Sequence, residues 1–442
     1  MRRHDPADAE TRTIGLWGAV AIGIGGMVGG GIFAVLGLVA VDAGGGAPLG
    51  FLLAGVVALL TAASYAKLSV MYPSRGGSVV FIDRVFGVRL ATGALNNLLW
   101  FGYLVTLSLY AVAFASYAGT FFGSGQPSPV WLHHLLISAA ILVPTALNLL
   151  SAAIVAETET AIVGVKLAML ALVAGAGLTT VQPARFAIGT WPPLPAIAAA
   201  GMLVFVAYEG FELIANAGDD IRDPRRNLPR ALYIAVGSVI VVYVAVAVVT
   251  VGSLDAGRIA ATADFALAEA AQPSLGRFGF TIVAISAVLA TLSAINATLY
   301  GTARLSYSIA LEGELPATFE RKVWNEPVGL LITAAASLLL ANSLDVTEIS
   351  SIASAVFLIV FGAVNAAAFR SAGRLVPRRM VAFGGVGGCL VSFVVLIIDT
   401  ADRRPVALAV LGMMVVVSVS AEALWLHRKR ELKLAGDQNP DS

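Results

Sequence analysis

The chain has 442 residues, of which 58% are hydrophobic and 12% charged, with a formal net charge of +1. Soluble globular chains carry about 25% charged residues, so this composition excludes a soluble domain and places the chain in a bilayer. The near-neutral balance gives no reason to expect a nucleic-acid partner. The single cysteine, Cys389, lies in an apolar stretch and rules out an intramolecular disulfide or a cysteine metal cluster.

Taken in chain order, a polar stretch at 1–13 precedes the first apolar segment, and no cleavage site marks a removable signal. A spanning helix needs about 20 mostly apolar residues. On that rule twelve segments are predicted, at 14–41, 48–71, 90–122, 131–150, 154–181, 195–217, 231–253, 276–311, 327–342, 347–369, 380–399 and 405–427. Charge tests the count. With the N-terminus inside, five of the 28 Lys and Arg residues (Arg185, Arg258, Arg277, Arg403 and Arg404) fall in outer connections. One more lies within a segment, and all the others fall in inner connections, inner helix ends or the tails. The positive-inside rule therefore predicts both termini in the cytoplasm, with 1–13 and 428–442 as cytoplasmic tails.

The first segment holds "GIGGMVGGGIFAVLG", with Gly29, Gly30 and Gly31 midway along it. Glycine is a poor helix former, about 1 kcal/mol worse than alanine, so the helix can unwind there. The freed amides of the second half-helix would then receive an anion such as a carboxylate. Close helix packing is the competing reading, because Gly25 and Gly29, like Gly26 and Gly30, have the spacing of helix-association motifs.

The sixth segment favours the break. Its "FVAYEGFELIANAGDD" sets Glu209 and Glu212 around Gly210, and a charge at the bilayer centre costs at least about 2.5–3.5 kcal/mol. The first and sixth segments each open a block of five, 14–181 and 195–369, and an odd number of spans inverts the second block relative to the first. Interrupted segments at matching places in inverted halves point to a transporter's binding site. A further pair, 380–427, follows the two blocks. The one intramembrane cation is Lys166, in "AIVGVKLAMLALVAG".

These residues resemble the amino acid–polyamine–organocation superfamily over nearly the whole chain. "GGGIF" at 29–33 is similar to that family's "GSGIF", with Gly30 in place of the usual serine. "FVAYEGFE" at 205–212, "DDIRDPRRNLPRAL" at 219–232 and "NATLYGTARLSYSIALEGELP" at 296–316 resemble its sixth-helix, cytoplasmic-loop and eighth-helix motifs. The resemblance implies an all-α polytopic protein of twelve transmembrane helices. It implies an inverted five-plus-five repeat (a LeuT-type fold) with helices one and six broken, followed by two further helices. It also implies that amides near Gly29, Gly30 and Gly31 hold a substrate carboxylate, and that carbonyls near Met27, Phe205, Val206 and Glu209 take the substrate amine. Relatives often gate the site with a phenylalanine just before the sixth-helix alanine, here Ala207; this chain has Val206 there and Phe205 one residue earlier.

Lys166 matches a fifth-helix lysine found where sodium-coupled cousins bind their ion, which argues against sodium coupling. Burial can lower a lysine pKa by several units, so Lys166 is either a proton-exchanging group or a permanent structural cation. Glu212 matches a frequent sixth-helix acid, read as part of a proton or gating network or as a structural acid. Glu209, where relatives commonly have a small or apolar residue, is a cation ligand, a coupling site or a structural acid. Ser293 and Asn296 are expected to face the cavity from the eighth helix. Tyr103, Tyr110 and Tyr117 recur every seven residues on the third segment and read as a packing face, with one member a candidate for the site wall.

Nothing supports an enzyme, cofactor or metal site. His4, His133, His134 and His427 fall at helix ends or in tails, and "GGGAPLG" at 44–50 lacks the Lys-Ser/Thr of a phosphate loop. The reading is a multi-pass permease of the cell membrane. It moves amino acids by proton symport or exchange through alternating access, with a small-molecule substrate, protons and the lipid bilayer as its partners. A polyamine or other organic-amine permease is the alternative. A channel or receptor is disfavoured, since there is no pore-lining charge ring or sensor domain.

Overall fold

The computed structural model describes residues 12–74, 76–123, 129–150, 159–311, 322–323, 326–372 and 376–437. Residues 1–11 of the predicted N-terminal tail, Arg75, the start of the fifth segment, 312–316 of the eighth-helix motif and the last five residues of the C-terminal tail lie outside them. Apart from a two-residue antiparallel pairing of Lys322–Val323 with Glu326–Pro327, regular structure among the described residues is helical.

The first segment is two helices, α1 (Leu16–Met27) and α2 (Gly31–Ala43), separated by a turn at 28–30. A short 3-10 turn, Gly44–Gly46, leads into α3 (Ala47–Met71). Next come α4 (Gly77–Phe86), which lies in a connection with no predicted element, and α5 (Leu90–Gly119). They are followed by α6 (Val130–Leu150) and α7 (Glu159–Gly177).

The sixth segment divides into α8 (Leu194–Leu203), a 3-10 turn over Phe205–Tyr208 and the single turn α9 (Leu213–Asn216), bent by 51°. After it stand α10 (Pro224–Ser253), α11 (Ala256–Ala261) and α12 (Ala266–Leu311). The chain ends with α13 (Val328–Ser343), α14 (Val346–Arg370), α15 (Val376–Arg403) and α16 (Pro405–Asp437).

Among the described residues nine helices are long and apolar enough to cross a membrane, or ten if the bent pair counts as one span. The difference from the twelve predicted segments has a physical origin. Breaking the first segment leaves α1 with 12 residues, and α13 has only 16. The remaining α2 runs through the glycine turn into α3 as one apolar stretch.

Two predicted ends move. The helix α12 begins ten residues before the predicted eighth segment and is interrupted at Gly276, whose φ of 62° is non-helical. The helix α16 continues to Asp437, so His427 sits within a helix and not at its end.

The broken spans occupy the centre. Residues 205–212 are all buried, as are most of α2. By contrast α6, α15 and α16 turn Leu142, Leu147, Val391, Ile398, Met413 and Val416 outward. An apolar exterior is the arrangement a bilayer demands.

The ends of the elements are set by local chemistry. At the start of α14 the Asp345 carboxylate accepts from the amides of Thr347 and Glu348 at 2.8 Å, and Glu348 accepts from the Asp345 amide at 3.0 Å. That reciprocal pair satisfies the helix's orphan donors. Before α1, Ile14 forms a bridge with Ile221, its amide donating to the Asp220 carbonyl at 3.0 Å. The Arg222 amide returns to the Ile14 carbonyl at 2.8 Å. The entry to the first span is thereby fastened to the exit of the sixth.

Candidate substrate site

The two breaks meet at their glycines. Gly210 has φ of 115°, a conformation L side chains rarely adopt, and a Cβ there would lie 2.6 Å from the Met27 amide nitrogen. Only a glycine allows the sixth span to turn against the first.

Unwinding frees backbone groups that must find partners at membrane depth, and side chains from other helices supply them. The Tyr243 hydroxyl of α10 donates to the carbonyl of Met27 at 2.7 Å and to that of Ala207 at 3.0 Å, spanning both breaks. On α14, Ser350 and Ser354 donate to the Leu203 carbonyl at 2.7 and 2.9 Å, and Ser354 also accepts from the Val206 amide at 2.9 Å.

A cavity of about 700 Å³ lies beside the breaks. Gly25 and Gly26 of α1, Glu209 and Gly210 of the sixth-span break, and Tyr103 and Tyr110 of α5 form part of its wall. Lys166 of α7 and Ser293 of α12 face it from the other helices. It extends towards residues 76–80 and 298–302, near the α12 end predicted to be cytoplasmic.

Two acids sit where the sixth span unwinds, and both are buried. Glu209 accepts from the Tyr110 hydroxyl at 3.3 Å. Glu212 accepts from the Tyr103 hydroxyl at 3.3 Å and from the Gly210 amide at 2.9 Å. Lys166 is 2% exposed, and it lines the same cavity as Glu209.

The sequence-predicted residues divide into three groups. Lys166, Glu209 and Ser293 line the cavity. Gly29, Gly30, Gly31, Met27, Phe205, Val206 and Ala207 are buried in the breaks behind that wall, and Glu212 is buried beneath Glu209. Asn296 turns to α6, accepting from the Asn148 side-chain amide at 2.5 Å. That contact accounts for a polar residue in an apolar span without the cavity.

The tyrosine stripe departs from the packing reading. Two of its three hydroxyls reach the sixth-span acids, and the third, of Tyr117, donates to the Phe33 carbonyl at 3.4 Å. Sequence reasoning also missed Tyr243, Ser350 and Ser354. The i, i+4 serines in apolar α14 were a usable signal, since hydroxyls in such spans commonly bond to neighbouring helices. Tyr243 gave none.

A family model described as amino acid permease matches residues 14–418. The chain belongs to the amino acid permease family. An inner membrane transport protein of Escherichia coli strain K12 is 36% identical over 363 residues, covering 81% of this chain and 84% of that protein. The cationic amino acid transporter 9 of Arabidopsis thaliana chloroplasts is 27% identical, over 72% of this chain and 58% of its own length. The methylthioribose transporter of Bacillus subtilis is 26% identical, over 70% and 69% respectively. This family member is therefore a multi-pass membrane transporter and not an enzyme.

Proposed function

We infer that the chain is a secondary active transporter for amino acids, working by proton symport or exchange through alternating access. It is read as twelve spans in two inverted five-span repeats, 14–181 and 195–369, with 380–427 appended and both termini cytoplasmic. The single observation carrying the reading is the cavity wall: buried Glu209 of the unwound sixth span and buried Lys166 of α7 line one cavity, with Glu212 buried three residues further along the break. The amides of Gly29, Gly30 and Gly31 receive the carboxylate, and Glu209 with the nearby carbonyls receives the amine. Because the cavity extends towards residues 76–80 and 298–302, this conformation is the inward-facing one. Alternating access then rocks α1–α3 and α8–α10 against the remaining helices.

An amine permease is the second reading, favoured by Glu209 itself. An acid facing a cavity selects a ligand with an additional cation, and one relative is a cationic amino acid transporter. Counterflow in proteoliposomes against a panel of labelled amino acids, polyamines and methylthioribose decides between the two. Exchange of an α-amino acid supports the first reading. Exchange confined to polyamines or thioribosides removes it, and flux without counterflow removes the carrier altogether.

A further inference from the structure

Four charges gather where α15 passes into α16, a connection that the topology proposed above puts on the outer face. Asp42 is the penultimate residue of α2, and Asp399 and Arg403 lie at the end of α15. Arg404 is the single residue between α15 and α16. Its guanidinium bridges two acids, one amino group 2.9 Å from Asp399 and the other 3.5 Å from Asp42. Arg403 repeats the bridge, at 3.3 Å and 3.7 Å. The side chains of Arg404 and Asp399 are 12% and 15% exposed, and that of Asp42 is 26% exposed.

Local helix chemistry explains the arginines and not Asp42. The macrodipole favours a cation in the last turn of a helix and disfavours an anion there. Asp42 is therefore held from outside its own helix, by cations on the pair that follows the two repeats. The helix it closes begins at Gly31 of the first break, so the cluster grips the far end of the element carrying the proposed carboxylate amides. Between those ends α2 packs on a 3-10 turn, Ala263–Phe265, where a Cβ on Gly37 would lie 2.6 Å from the Ala263 carbonyl carbon. The alternating access proposed above moves α2 and leaves α15 and α16, so the pairs cross the moving boundary. Asp399 stays with both arginines when Asp42 departs. Opening then strands no buried cation, and Asp42 passes to water, which keeps the separation reversible.

We propose that Asp42 with Arg403 and Arg404 is an outer latch. It holds α2 on the α15–α16 connection while the cavity is open to the cytoplasm, and it parts when α2 swings to open the outer side. The latch rests on the inward-facing reading given above and is independent of which substrate is carried. It gives the two appended helices a part in the cycle.

The test places a reporter, Ala34→Cys, on the face of α2 that Gly37 shares, about two turns before Asp42. Ala34 is 2% exposed, so the reporter labels when the outer seam opens. In a Cys389→Ala chain, the full-length protein in lipid nanodiscs is reacted with a membrane-impermeant maleimide. Asp42→Asn removes the attraction, keeps the shape and should speed labelling about tenfold. Tenfold is about 1.4 kcal/mol, between the worth of an exposed pair and that of a buried one. Arg404→Gln should also speed labelling and serves if Asp42→Asn is unstable. In the Cys389→Ala chain without the reporter, Asp42→Cys/Arg404→Cys is joined by a short bis-thiosulfonate reagent. The link should stop counterflow of a substrate found in the panel above, and reductant should restore it, whereas a merely structural tie would let counterflow continue. Unchanged labelling in both variants overturns the latch, as does counterflow through the linked pair. Flux without counterflow in the unlinked chain removes the carrier reading alone, and the labelling rates then decide the latch.

Discussion

Adding one methyl group at Gly30 probes the first break most directly. A Cβ built there would lie 2.8 Å from Tyr110 Cγ and 3.1 Å from Tyr110 Cβ, and would run into Cδ1. Those atoms form the root of the tyrosine side chain, so the ring cannot swing clear without leaving its rotamer or moving α5. An off-rotamer torsion costs about 0.5–1.5 kcal/mol, and overpacking a filled core costs about 1–3 kcal/mol. Gly30→Ala should therefore destabilise the protein by about 1–3 kcal/mol. Gly30→Ser, which installs the residue the resemblance implies in relatives, should cost as much. The strain is specific to the ring, so a double-mutant cycle isolates it. Tyr110→Ala removes Cγ and Cδ1 and should recover most of the loss beside Gly30→Ala, whereas Tyr110→Phe keeps the ring, removes only the hydroxyl facing Glu209 and should recover none. Heat inactivation in detergent gives the stability arm, and counterflow with a substrate found in the panel above gives the transport arm. If Gly30→Ala matches wild type in both, or Tyr110→Phe rescues as well as Tyr110→Ala, the packing of Tyr110 on the break is wrong.

Tyr243→Phe withdraws one hydroxyl from two buried carbonyls and should lower stability by about 1–3 kcal/mol, read from heat inactivation; an unchanged profile would mean that the breaks do not depend on it. Ser354→Ala strands the Val206 amide and should cost about the same, with slowed transport distinguishing this break from an ordinary packing site. Replacing sodium with choline should leave uptake unchanged if Lys166 occupies the place of an ion, and strict sodium dependence would refute that assignment. Glu209→Gln should selectively weaken ligands carrying an additional positive charge by tenfold or more, since a few kcal/mol separate a paired from an unpaired charge in a partly dry cavity; equal loss for neutral and cationic ligands would reject the cation-ligand role.

Long apolar runs made most spans legible, because a bilayer leaves a helix little else to be. Both interruptions were legible for a related reason. Glycines and acids are costly in such runs, and Gly29 to Gly31 and Glu209 to Glu212 stood out against their surroundings. Of the groups that satisfy the breaks, the serine pair of α14 left a signal and Tyr243 left none. Tyr243 touches the unwound backbone through folding of a distant helix, and a lone tyrosine in an apolar span has many possible partners. The stripe of Tyr103, Tyr110 and Tyr117 showed its face but not its function. Seven-residue spacing fixes which side of α5 they share and says nothing about what that side meets. Asn296 failed differently: a polar residue was assumed to seek the cavity, yet Asn148 on the neighbouring helix offered an amide partner.

The satisfied state of the breaks bears on how the proposed carrier would let go of its substrate. In this conformation the Met27 and Ala207 carbonyls accept from Tyr243, the Val206 amide is held by Ser354, and the Tyr110 ring covers Gly30. A substrate carboxylate reaching the Gly29–Gly31 amides must move that ring, and an amine reaching the carbonyls competes with a hydroxyl already in place. Exchange of one hydrogen bond for another yields only about 0.5–1.5 kcal/mol net, and ordering the ligand opposes even that. On the proposed substrate placement, the conformation whose cavity extends towards residues 76–80 and 298–302 would therefore bind weakly. Tighter binding would require Tyr110 to move off Gly30, by a change of rotamer or by a shift of α5 against the first break. Under the proposed alternating access, such a shift of α5 would couple release to rocking through one contact, the ring of Tyr110 on a residue with no side chain.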